Sequence, residues 1–159
     1  MTRALTARIR APRLEDTARL AALSTQLGYP ASADEIAGRL SRLLSRAEHR
    51  LRVAESPGGE VIGWIHAEER QILESPVWCE IMGLVVDAAH RERGAGRALV
   101  EEVEAWARER GLRTVKVRSN VAREESHPFY LRLGYARSKT QHVYLKAALR
   151  AGPENTTPG

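Results

Sequence analysis

Up to Leu44 the apolar residues recur at helical spacing, and from Leu51 onward the period shortens toward the alternation of strands. Arg8-Ile9-Arg10 reads as a short opening strand. Pro12 stands at a first helical turn, followed by a stripe of Leu14, Ala18, Leu20 or Ala21, and Leu23 to Leu27, which Gly28 ends. Ser32 with Glu35 forms a capping-box pattern that opens a second helix carrying Ile36, Leu40, Leu43 and Leu44. Leu51 to Ala54 and Val61 to Ile65 flank the turn cluster Ser56-Pro57-Gly58-Gly59, so they pair as an antiparallel hairpin. Val77 to Val86 is the strongest strand signal, with the length and apolar content of a central position.

The period then lengthens again. From Gly96 to Arg110 the residues Leu99, Val103 and Trp106 share one helical face, and Gly111 supplies the stop. Thr114 to Ser119 alternates as a strand, Ser126 to Leu133 is a short helix ended by Gly134, and Tyr135 to Lys146 reads as a final strand or strand pair. The strand, helix and strand between Val77 and Ser119 make a βαβ unit, whereas the earlier hairpin is antiparallel. The fold class is therefore α/β (α+β), a mixed sheet with helices on both faces. One domain over 1–149, with its core at about 8–146, and a disordered polar tail over 150–159 are expected.

Composition narrows the chemistry. The single cysteine, Cys79, excludes an internal disulfide and paired-cysteine metal clusters, and no His, Asp and Glu set has metal-ligand spacing, so no metal is expected. No apolar run approaches the roughly 20 residues of a membrane span, which fits a soluble cytoplasmic protein without a membrane role. The net charge of +5 is spread along the chain and alternates with glutamates, as in Arg91-Glu92-Arg93. With aromatics at 5% there are few stacking platforms, so nucleic acid is not expected as a partner and a mild pull on anionic small molecules is.

The junction from Leu84 to Val100 puts Gly94 and Gly96 at the entry to a helix. That start exposes unpaired backbone N–H groups and partial positive charge, and glycine lets a diphosphate approach the backbone. Arg91, Arg93 and Arg97 add formal charge. Leu99 stands where a dinucleotide loop needs a small residue, and no Gly-Lys-Ser/Thr follows, so both competing phosphate loops fail.

The segment from Glu80 to Val100 resembles the fourth strand, the Gln/Arg-x-x-Gly-x-Gly/Ala loop and the third helix of the GNAT family of N-acetyltransferases. Ser126 to Tyr135, containing Phe129-Tyr130 and Gly134-Tyr135, is similar to that family's later Phe-Tyr-x-x-x-Gly-Phe/Tyr element. The resemblance implies a mostly antiparallel sheet of six or seven strands flanked by about four helices. It implies acetyl transfer from acetyl-CoA to a primary amine, on a small molecule or peptide, by direct attack in a ternary complex. A non-catalytic acyl-CoA sensor or partner module is the alternative, and a homodimer is compatible with how members pair.

Residue roles follow from the same resemblance. Acetyl-CoA would lie on Leu84, Val85 and Val86, on Arg91, Glu92, Arg93, Gly94, Ala95, Gly96, Arg97 and Ala98, and on Asn120 and Tyr130. Glu80, fourteen positions before Gly94, stands at the offset of a general base, and Tyr130 where a hydroxyl meets the departing sulfur. Tyr29, His66, Glu68 and its neighbour Glu69, and His127 are candidates for the acceptor side.

Overall fold

The computed structural model describes residues 7–91, 93–119, 126–147 and 149. The chain forms two compact units, residues 1–124 and 125–159. In the first, β1 (Arg8–Arg10) leads through a 3-10 turn, Leu14–Asp16, into α1 (Thr17–Leu27), α2 (Ala33–Leu44), β2 (His49–Glu55), β3 (Val61–Ile72), β4 (Ser75–Val86), α3 (Ala95–Glu109) and β5 (Val115–Val117). The second unit holds α4 (Ser126–Arg132). Among the described residues no helix is long and apolar enough to cross a membrane.

The local signals act as expected at most helix ends. Gly28 closes α1 in the left-handed region at φ 100°, and the Ser32 hydroxyl accepts from the Glu35 N–H while the Glu35 carboxylate accepts from the Ser32 N–H. Leu14 departs from its expected helical stripe: it lies in the 3-10 turn and is exposed, because regular helix begins only at Thr17.

The sheet runs in the order β1-β2-β3-β4-β5; its first three pairings are antiparallel and β4 with β5 is parallel. Five strands form among the described residues where six or seven were expected. The difference lies at Tyr135 to Lys146, which has no ladder. A strand exists only by pairing, and among the described residues of its own unit the one regular element is a helix; Val143, Tyr144 and Leu145 are exposed. The tail at 150–159 lies outside the described residues.

Adjacent positions of β3 define the two faces of the sheet. Trp64 lies against Gly83 on the face covered by α1 and α2, whereas Gly63 turns to Leu99 of α3 on the other. Leu20 and Leu23 of α1, Leu40 of α2, and Val53, Val61 and Val85 of the sheet form one buried cluster. Leu99, Val103 and Trp106 are all buried along α3, the face that their spacing predicts. At roughly 1.5–3 kcal/mol for each fully buried large aliphatic side chain, these two layers supply most of the drive that holds the helices on the sheet.

Candidate functional site

β4 pairs with β3 along nearly its whole length, from Ser75 to Val86, but with β5 only at Cys79, Glu80 and Ile81. Beyond Ile81, the β5-facing edge of Met82 to Val86 has no strand on it among the described residues. The register changes at the same place. His66 pairs with Gly83 and Ala67 with Ile81, so Met82 is an extra residue in a bulge, which bends the strand where its second neighbour ends.

After Val86 the chain turns through Asp87, whose side chain accepts from the Ala89 N–H and caps a 3-10 turn, Ala88–His90. Its N–H donates to the Ile62 carbonyl at 2.7 Å. The carboxylate also takes hydrogen bonds from Arg19 and Gln26 of α1, and Arg19 Nε reaches the Val61 carbonyl at 2.8 Å. Burial alone would raise the Asp87 carboxyl, but the hydrogen bonds from Gln26, the Ala89 N–H and Arg19 outweigh it and hold it at about 2. The loop is therefore tied to α1 and to the start of β3.

Gly94 enters α3 in the left-handed region at φ 88°, which a residue with a side chain adopts only under strain, and a Cβ placed on it would meet nothing within 4 Å. The first bond of the helix runs from the Ala98 N–H to the Gly94 carbonyl at 3.0 Å, so the amides before it point out of the helix start. Arg91, Arg93 and Arg97 are exposed around this concavity, Arg97 with Glu101 one turn on at 3.7 Å and Arg91 Nε 3.4 Å from the Val86 carbonyl. Ala95 is buried and Gly96 and Ala98 are partly so, which leaves their backbones rather than their side chains to face a ligand. An open strand edge thus leads into a cationic helix start, the form that an extended amide chain ending in a diphosphate requires. Glu92 and Asn120 lie outside the described residues.

Glu80 is almost fully buried, at 2% exposure. A carboxylate there requires partners. Arg70 Nη1 approaches one oxygen at 3.4 Å, and Arg118 Nε and Trp78 Nε1 approach the other at the same distance. Pairing across the strands sets His49, Glu68, Glu80 and Lys116 in one row, and Lys116 Nζ lies 4.4 Å from the centre of the Trp78 ring. Cys79 turns to the other face; burial, with the charges of Glu80 and Glu69, pushes its thiol up to about 11, which leaves it a poor nucleophile.

Above this row a cleft of about 330 Å³ opens between the two N-terminal helices and the sheet. Tyr29 and His66, two of the candidates for the acceptor side, line it with Trp64, Met82 and Gly83. His66 Nε2 lies 2.9 Å from Nδ1 of His49, and burial followed by the charge of His49 lowers it to about 4, so it is neutral near pH 7. Glu68 stands on the same face, 3.9 Å from Arg70. Glu69 does not: strand alternation turns it to the α3 face, where it bridges Arg110.

Tyr130 and His127 belong to the second unit, both half-buried on α4 and three residues apart. The Tyr130 ring meets Phe129 and Tyr135 edge-on, with centroids at 5.2 and 6.0 Å, and the Tyr135 N–H donates to the Tyr130 carbonyl at 3.0 Å. Sequence reading did not find the bulge at Met82, the partners Arg70 and Arg118 of Glu80, or His49. Nothing in their spacing marks them, since each is joined to the site only by strand register.

The chain matches the family described as Acetyltransferase (GNAT) family over residues 15–135. It is 33% identical over 117 residues to an aminoalkylphosphonate N-acetyltransferase of Salmonella typhimurium, a match spanning 73% of each chain. Among solved structures it resembles an aminoglycoside antibiotic 6'-N-acetyltransferase from Acinetobacter baumannii, with a TM-score of 0.78 at 20% identity over 91% of this chain and 99% of that one. An aminoglycoside N-acetyltransferase in complex with CoA gives a TM-score of 0.78 at 19% identity, over 92% of this chain and 99% of that one. Both of these structures share its fold.

Because Asp87 is held at about 2, against an ordinary value of 3.8, its charged form stabilises the fold fully above 3.8, and that contribution drains away as pH falls toward 2. Asp87→Asn is therefore expected to lower the urea midpoint at pH 7, with the gap to wild type closing between pH 4 and 2. A gap that persists unchanged at pH 2 would mean that the side chain acts by shape rather than by charge.

Proposed function

The chain belongs to the GNAT family of acetyltransferases, and from that premise we propose that it moves an acetyl group from acetyl-CoA to a primary amine by direct attack while both substrates are bound. The observation that carries this reading is the open edge of β4 running from the Met82 bulge to a helix start that Gly94 leaves uncovered. When bound, acetyl-CoA supplies the acetyl thioester. The backbone of Leu84, Val85 and Val86 would align its pantetheine arm as an added strand, and the amides at the start of α3, with Arg91, Arg93 and Arg97, would hold its diphosphate. Asn120 and Glu92 are assigned to the same ligand by motif.

A free amine is needed for attack, and an alkylamine with a pKa of about 10 is mostly protonated near neutrality. We assign the proton to Glu80 through water: its carboxylate lies on the same sheet face as the cleft, one row below His66 and Gly83, and Arg70 and Arg118 fix its orientation. A thioacyl intermediate is disfavoured because Cys79, the chain's single cysteine, is a buried thiol on the opposite face. Tyr130 is assigned as the proton donor to the departing sulfur, on the strength of the Phe129-Tyr130 and Gly134-Tyr135 motif. The acceptor is a small-molecule or peptide amine, and the relative named for aminoalkylphosphonates favours the former.

Gly96→Glu places a carboxylate in the first turn of α3, where it would repel a diphosphate at little cost to the helix. Acetyl-CoA affinity measured by calorimetry is expected to fall by at least about 100-fold in a variant that melts like wild type. Unchanged affinity would put the ligand elsewhere.

Glu80→Gln is expected to slow turnover by about 100-fold near pH 7, with a smaller deficit at alkaline pH where free amine is abundant, and to leave acetyl-CoA affinity intact. A deficit independent of pH would assign Glu80 to holding Arg70 and Arg118 instead. Tyr130→Phe removes one oxygen and keeps the ring. Turnover is expected to drop by about 10- to 1,000-fold with melting unchanged, and the deficit to shrink with an acyl donor whose thiol is more acidic. Wild-type turnover would make Tyr130 a packing residue.

A further inference from the structure

The lining of the cleft between the N-terminal helices and the sheet speaks to the acceptor. Its walls are apolar, built chiefly from Leu27, Ile36, Leu40, Leu51, Trp64 and Met82. Among the described residues no aspartate or glutamate lines it. Arg39 of α2 does, 3.5 Å from Glu35, and Arg52 contributes from β2, where its guanidinium is 3.2 Å from Glu102 of α3. At about 330 Å³ the space lies at the lower end of the range of small-ligand pockets, roughly 300–1,000 Å³.

The chemistry of transfer then sorts the amines. The reacting nitrogen must lose its proton, so it enters an apolar cleft without a lasting charge. A second ammonium group on the same molecule has no such relief. It would be stripped of water against leucine, isoleucine and tryptophan side chains, with no carboxylate in the wall and an arginine nearby. An apolar body gains instead from each group it buries. On the β3–β4 side of the cleft, His66 pairs across the strands with Gly83, next to the Met82 bulge, and carries no charge near neutrality because burial and His49 keep it unprotonated. It does not repel an arriving amine.

Resting on the acetyl-transfer reading, we propose that the acceptor is a compact monoamine with an apolar, aryl- or alkyl-bearing body. Its nitrogen lies at the Gly83 and His66 end and its body lies against Trp64, Ile36 and Met82. Polycationic acceptors are excluded by the same walls.

The test uses the full chain, acetyl-CoA and four amines at matched concentrations: 2-phenylethylamine, spermidine, kanamycin and 2-aminoethylphosphonate, with CoA release as the readout. For 2-phenylethylamine kcat/KM is expected to exceed that for each of the others by at least about 10-fold. The indole N–H resonance of Trp64, identified by its loss in Trp64→Phe, is expected to move on titration with 2-phenylethylamine and not with kanamycin, whether or not turnover occurs. Met82→Glu, at a position 45% exposed, puts a carboxylate at the mouth of the cleft. It is expected to lower kcat/KM for 2-phenylethylamine by about 10-fold and raise that for spermidine.

Equal or faster turnover of spermidine, kanamycin or 2-aminoethylphosphonate overturns the proposal, as does a Trp64 resonance that 2-phenylethylamine leaves in place. Calorimetry with acetyl-CoA separates the two levels. Binding with the wrong acceptor order, or with no acceptor used, defeats only the acceptor assignment, whereas absence of acetyl-CoA binding defeats the transfer reading beneath it.

Discussion

Among the described residues, strand β4 has a partner along nearly all of one edge and along only three residues of the other. Such an edge is ordinarily a liability, because its free N–H and C=O groups invite another strand. Here the edge without a strand runs from Met82 to Val86 and ends where the chain turns toward the start of α3. The bulge at Met82 bends the strand at the point where β5 stops, which among the described residues leaves a gap in the ladder along the rest of that edge. The site follows from that gap. An extended ligand can complete the ladder, and the helix that follows offers its amides where the ladder ends.

The same bulge divides one face of the sheet. Toward the end of β4, Val53, Trp64 and Val85 lie under α1 and α2 and are apolar. Toward its beginning the helices no longer cover the strands, and the row of His49, Glu68, Glu80 and Lys116 takes their place. A glutamate at 2% exposure persists there because two guanidinium groups and the Trp78 indole N–H approach it. A hydrophobic wall and a row of charged side chains therefore meet beside Gly83, which has no room for a side chain because the Trp64 ring fills the space, 2.8 Å from where a Cβ would sit.

Arg19 and Asp87 connect the two halves of this arrangement. Arg19 of α1 holds the Asp87 carboxylate and the Val61 carbonyl at once, so the helix that borders the cleft is fastened to the turn that leads into α3. Gln26, two turns further along α1, grips the same turn through both Asp87 and the Ala88 N–H. The geometry of the turn between β4 and α3 is consequently not a property of the turn alone.

What the sequence by itself determined is everything that nearest neighbours along the chain decide. The capping box at Ser32 and Glu35, the stop at Gly28, the buried stripe of α3 and the glycine at its entry each depend on residues within a turn or two, and their chemistry is written in the order of the letters. The motif from Glu80 to Val100 belongs to the same class, which is why the strand, the glycine-bearing turn and the helix after it were legible in the letters. Only the tertiary structure decided which residues share a face across strands. Glu69 reads like Glu68 in sequence and lies on the opposite side; Arg70 and Arg118 reach Glu80 from separate strands; His49 meets His66 because of a register no periodicity specifies. Tyr135 to Lys146 reads as a strand or strand pair and forms none among the described residues, since the letters state only what a segment can do, whereas a strand needs a second strand beside it.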